Sequence, residues 1–133
     1  GFYAWQGGQF LASRGLSYLW KWLDAFYGSA SPNQTNFYNR ATQHMSQAQV
    51  IAAMGKIANA TTDGQVTAAE FEQGLTYDGP FDISTRASWK YSCSLGAYGT
   101  PMFRVNGVWF TSAQSTWTTE QWVAALTPLL PPA

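Results

Sequence analysis

Cys93 and His44 are each the only residue of their kind in the chain, so the chemistry they can support is set by their neighbours. A lone cysteine forms no disulfide within its own chain, no Cys-x-x-Cys redox pair and, without other ligands, no zinc cluster. Cys93 therefore reads either as a small buried hydrophobe or as half of a disulfide whose partner lies on another segment. His44 sits in Arg40-Ala41-Thr42-Gln43-His44, with no carboxylate or thiol at ligand spacing. That setting fits a surface or helix-end side chain rather than a catalytic or metal-binding one.

The stretch from Asn59 to Glu70 has the outline of an EF-hand loop, with Gly64 at the sixth position and Glu70 at the twelfth. Asn59 and Thr61 stand where the first and third ligands are usually acidic, which leaves Asp63 and Glu70 as the only carboxylates and predicts weak calcium binding at best. The simpler reading is an Asp63-Gly64 turn leading into a helix capped by Thr67. Of the seven tryptophans, Trp109 and Trp117 near the chain's end are the best candidates to stack on a glycan, and the others fit apolar faces. There are no paired carboxylates, no Gly-rich phosphate loop and no Ser/His/Asp set, so no catalytic residue, metal ligand or cofactor is assigned. Asn33-Gln34-Thr35 and Asn59-Ala60-Thr61 are glycosylation sequons, and Asn33 follows a turn-like Ser31-Pro32. They point to a glycoprotein that is secreted or in the secretory pathway.

Composition bounds what must position these residues. The chain has 133 residues, 46% hydrophobic and 11% charged, which suits one packed domain and excludes a disordered polyelectrolyte. Seven basic residues balance seven acidic ones, so nucleic acid is not an expected partner. Apolar runs are only a few residues long, far short of the roughly 18 that span a bilayer. Aromatic residues are 17% of the chain, which predicts a core built on large rings.

Along the chain, residues 2–13 read as a short helix interrupted by Gly7-Gly8, followed after Gly15 by an antiparallel helix over 16–27. In the latter, Leu16, Leu19, Trp20, Leu23, Phe26 and Tyr27 share one stripe, Tyr18 and Trp22 add another, and burial over most of the circumference is expected. Capping boxes at Ser46/Gln49 and Thr67/Glu70 open a third and a fourth helix. Ile83, Ala87, Tyr91 and Leu95 recur at four-residue spacing in a fifth, over 82–95, with Gly96 placed to end it. After Pro101 the pattern becomes extended, and Asn106-Gly107 between Met102-Phe103-Arg104-Val105 and Val108-Trp109-Phe110 predicts a hairpin with a type I′ turn. Thr118 and Gln121 cap a last helix through Trp122, Val123 and Leu126, stopped by Pro128 and Pro131-Pro132.

The segment Gly96-Ala97-Tyr98-Gly99-Thr100-Pro101-Met102-Phe103-Arg104-Val105-Asn106-Gly107 resembles the stretch of the thioredoxin-like DsbA family in which Gly-Thr-Pro enters a strand and a hairpin follows. Residues 2–75 and Trp89-Lys90-Tyr91 look like that family's helical insertion, and the final helix matches in position. The resemblance implies an α+β, mostly helical, incomplete thioredoxin-like fold in a single domain. Residues 1–97 would form its helical part, and 98–133 its cis-proline loop, hairpin and last helix. It further implies that the Thr100–Pro101 bond is cis, and that Tyr98, Thr100 and Pro101 touch extended substrates. The family's CxxC unit has no counterpart here, so thiol exchange is not expected of this chain alone.

A lone two-stranded hairpin is marginal in water, and its Met102 edge would be bare. An N-terminal segment of the same precursor, removed by processing or truncation, or another protein chain, is expected to cover it. The leading reading is a redox-inactive binding or structural module. The alternatives are part of a DsbA-like thiol-disulfide oxidoreductase whose CxxC lies on a missing segment, and weak calcium or glycan binding.

Overall fold

The computed structural model describes residues 1–130, and shows a mostly helical protein with one small antiparallel sheet. The helices are α1 (Phe2–Arg14), α2 (Leu16–Tyr27), α3 (Asn33–Asn36), α4 (Asn39–Thr42), α5 (Gln47–Thr61), α6 (Ala68–Gly74) and α7 (Pro80–Ser94). The strands β1 (Arg104–Val105) and β2 (Val108–Trp109) and the helix α8 (Thr119–Leu126) follow, with a 3₁₀ turn at Thr127–Leu129. Pro131 and Pro132 lie outside the described residues. The chain divides into two compact units, Gly1–Tyr91 and the residues from Ser92 onward, with the division inside α7.

In the first unit the core is built on Phe10, Leu11, Trp22, Phe26 and Phe71, with Ile51, Met54, Ala58, Val66 and Leu75 around them. Phe71 lies 5.8 Å from Phe10 and 5.3 Å from Trp22, centroid to centroid, and Phe26 packs 4.4 Å from Trp22. The Trp22 indole N–H would be costly to bury unpaired, and it donates to the Ala4 carbonyl at 2.8 Å.

Two expectations are corrected here. Gly7-Gly8 does not interrupt α1, which runs unbroken. A Cβ on Gly7 would sit 2.6 Å from the Phe71 ring, so the glycine is there to admit that ring, at the modest cost glycine brings to a helix. Nor is α2 buried on most of its circumference: Trp22 and Phe26 are inside, while Leu16, Trp20 and Tyr27 are exposed.

Both capping boxes form as expected. Ser46 Oγ accepts from the Gln49 N–H at 3.2 Å, and Thr67 Oγ1 accepts from the Glu70 N–H at 3.2 Å. Between them Thr62, fully buried, donates to the Ala58 carbonyl at 2.8 Å and accepts from the Val66 N–H at 3.1 Å, which closes the turn from α5 into α6. α7 forms as its period predicts, but its buried residues in the first unit are Asp82 and Thr85, while Ile83, Ala87 and Tyr91 are exposed. Asp82 is held from both sides, by Arg86 Nε at 2.9 Å and by the Asp78 N–H at 3.2 Å. No helix among the described residues is long and apolar enough to cross a membrane.

Candidate functional site

From Ser92 onward the sequence folds around its turns. Gly96 takes φ 85° two residues after Ser94, the last residue of α7. Asn106 and Gly107, at φ 50° and 82°, form the two-residue turn that Asn-Gly favours, because left-handed backbone suits these residues. The hairpin pairs Val105 with Val108 and Arg104 with Trp109, and the Phe110 N–H donates to the Phe103 carbonyl at 2.8 Å.

This register gives the ribbon two faces. On one, Phe103 and Phe110 meet Trp122 at 4.8 and 6.3 Å, and Trp117 closes the cluster at 5.1 Å from Trp122. The Thr118/Gln121 capping box starts α8 so that Trp122 falls on this cluster. On the other face, Arg104 and Trp109 stand opposite one another at a position not joined by ladder hydrogen bonds, where side chains approach closest. The Arg104 guanidinium lies over the Trp109 ring, 5.1 Å from its centroid, and one of its N–H groups donates to the Gly107 carbonyl.

That second face lines a cavity of about 290 Å³ with Leu95, Ala97, Thr100 and Met102. The Thr100–Pro101 bond at its rim is cis. Thr100, Pro101 and Tyr98 are all exposed, Tyr98 almost completely at 93%, and of the three Thr100 lines the cavity. Among the described residues β1 pairs with β2 alone. Because Phe103 and Val105 face β2, the alternation of the ladder turns the backbone N–H and C=O of Arg104 to the open edge.

The remaining candidates lie elsewhere. Cys93 is exposed, which removes its reading as a small buried hydrophobe. His44 is exposed, as its polar setting suggests. Asn33 and Asn59 are half-buried, and each side-chain N–H₂ already donates, to the Ala25 carbonyl at 2.9 Å and the Val66 carbonyl at 3.0 Å. A glycan at either would take one of the two amide hydrogens and leave a single N–H for that bond.

In the loop with the EF-hand outline, Glu70 accepts from the Thr67 N–H and hydroxyl, both at 2.8 Å, and these bonds hold its carboxyl below the usual carboxylate range. Asp63 pairs with Lys21 at 2.9 Å. The two carboxylates thus serve a helix cap and a surface ion pair, and no cluster of three potential metal ligands occurs among the described residues. Trp109 and Trp117 are half-buried and carry Arg104 and Trp122 on their rings, so the exposed tryptophans are instead Trp5, Trp20 and Trp89.

The Arg104–Trp109 pair is the part of this site that the sequence reading missed. Its signal was countable, since a two-residue Asn106-Gly107 turn sets Val105 against Val108 and therefore Arg104 against Trp109. No family model matches the chain, and no curated protein or solved structure is significantly similar to it.

Proposed function

We propose that this chain is a binding or structural module of a secreted, thioredoxin-like protein of the DsbA type. In this reading it is redox-inactive by itself and receives an extended polypeptide along β1, beside the Tyr98–Pro101 loop. The observation that carries the reading is the open β1 edge bordering a cavity in a unit where no described residue is fully buried. A two-stranded ribbon of this length is marginal alone, and a third strand supplied by another segment or chain would satisfy its free backbone groups and cover its apolar surface. The single, exposed Cys93 supplies no dithiol, which fits a binding role better than thiol exchange.

The test uses the full chain with an end-labelled eight-residue peptide of alternating Ser and Val. Saturable anisotropy and slowed amide hydrogen exchange over residues 102–105 are expected, with no turnover in a disulfide-reduction assay. Absence of binding, or protection confined to the helices of the first unit, would overturn the reading, and disulfide turnover by the chain alone would overturn its redox-inactive part.

A further inference from the structure

We infer that the cavity selects peptides bearing a carboxylate, with Arg104 as the receptor for an acidic side chain. This rests on the peptide-binding reading above and adds the chemistry of the ligand. Arg104 and Glu120 are the only charged side chains from Ser92 to the end of the sequence, so the cavity's one formal charge is positive. Among the described residues no carboxylate forms an ion pair with Arg104. A guanidinium carries five N–H donors in a planar fork. The guanidinium carbon rests 5.1 Å from the Trp109 ring centroid and the bond to Gly107 occupies one donor, which together hold the fork at the cavity and leave other donors for a carboxylate that can take two at once.

The register places the acidic residue. A strand added on the open edge of β1 sets one of its side chains beside Arg104 on the cavity face, about 5 Å away between Cβ atoms. Leu95, Met102 and Trp109 give that face an apolar lining, while Arg104 itself is exposed, so the ion pair contributes selectivity of the size exposed pairs supply. Alternate residues of the incoming strand face the other way, so the recognised pattern is one acidic residue flanked, two positions away on either side, by small or branched apolar ones. Lysine would not replace arginine fully, because an ammonium neither stacks flat nor presents a fork.

The experiment compares two versions of the Ser/Val peptide, one with a central Glu and one with Gln in its place. Each is titrated into wild type, Arg104→Gln and Arg104→Lys at low salt and at about 0.5 M salt. Wild type should bind the Glu peptide about five-fold more tightly than the Gln peptide, with most of the difference lost at high salt. Arg104→Gln should abolish the preference, bringing the Glu and Gln peptides to equal affinity whatever their common level, and Arg104→Lys should retain part of it. Equal affinities in wild type, or a preference that survives in Arg104→Gln, would overturn the inference and leave peptide binding standing. Failure of both peptides to bind wild type would overturn peptide binding as well. Should Arg104→Gln fail to fold by near-ultraviolet circular dichroism, the wild-type Glu/Gln ratio and its salt dependence decide alone.

Discussion

Residues 1–91 and the residues from Ser92 onward use the same material, large aromatic side chains, to different ends. In the first unit Trp22, Phe71 and Leu11 are withdrawn from water completely, and α1, α2, α5 and α6 wrap them. In the second, Phe103, Phe110, Trp117 and Trp122 touch one another, yet none of them is fully buried, and a ribbon with two paired residues per strand is all the sheet there is among the described residues. Apolar burial scales with the area removed from water, so the first unit has a complete core and the second has the beginnings of one. The difference teaches where to look for a partner: the face left without cover in the second unit is a sheet edge with free backbone groups.

The largest expected effect sharpens this contrast. Trp22→Ala should cost about 3–5 kcal/mol in urea unfolding followed by far-ultraviolet circular dichroism, because it empties a closed core and orphans the Ala4 contact. Trp122→Ala, which removes a ring still partly in water, should cost about 1–2 kcal/mol. Equal costs would break the distinction between a closed core and an open cluster.

Next comes Gly7→Ala, which sets a methyl against the Phe71 ring and should destabilise by about 1–3 kcal/mol in the same assay despite alanine's better helix propensity. A stabilised variant would show that Phe71 has room to move. In the second unit, Gly107→Ala forces a side chain into left-handed backbone and should cost about 1 kcal/mol, seen as faster amide exchange over residues 103–110 with the first unit unchanged.

The smallest effect is one of pH. The Arg86 guanidinium beside Asp82, helped by the Asp78 N–H, lowers the Asp82 carboxyl below its ordinary 3.8 against the opposing effect of burial. A carboxyl lowered on folding contributes stability above its unfolded pKa and loses it as pH falls through the folded value. Melting temperature should therefore drop as pH falls below about 4, and Asp82→Asn should flatten that drop.

Local signals were the legible part of the sequence. Ser46/Gln49, Thr67/Glu70 and Thr118/Gln121 each mark a helix start because a capping box is satisfied by residues three apart, and Asn106-Gly107 marks a turn because both residues accept positive φ. The short helices α3 and α4 carry no such mark, and the sequence pattern between Asn33 and Ser46 predicted no helix there. Burial was harder. Gln6 and Thr85 lie inside the first unit, and nothing in their local pattern separates them from exposed neighbours. The spacing of Ile83, Ala87 and Tyr91 marked a helix without saying which face it buries: these three are exposed, and Asp82 and Thr85 are inside. Of the candidate site, the loop and hairpin were readable from Gly99-Thr100-Pro101 and Asn106-Gly107, whereas the cavity was not, since Leu95 and Trp109 reach it from separate elements.

Composition and spacing by themselves determined that this chain is mostly helical with one hairpin, where most of its helices start, and that it carries no dithiol of its own. Those properties depend on backbone preferences and on contacts among residues a few positions apart. Only the tertiary structure decided that Trp22 rather than Trp20 is the core tryptophan, that Gly7 makes room for a ring, that Cys93 is exposed, and that Arg104 lies on Trp109 beside an open strand. Each of these turns on which face an element offers to its neighbours, and a periodic pattern lists the faces without choosing among them.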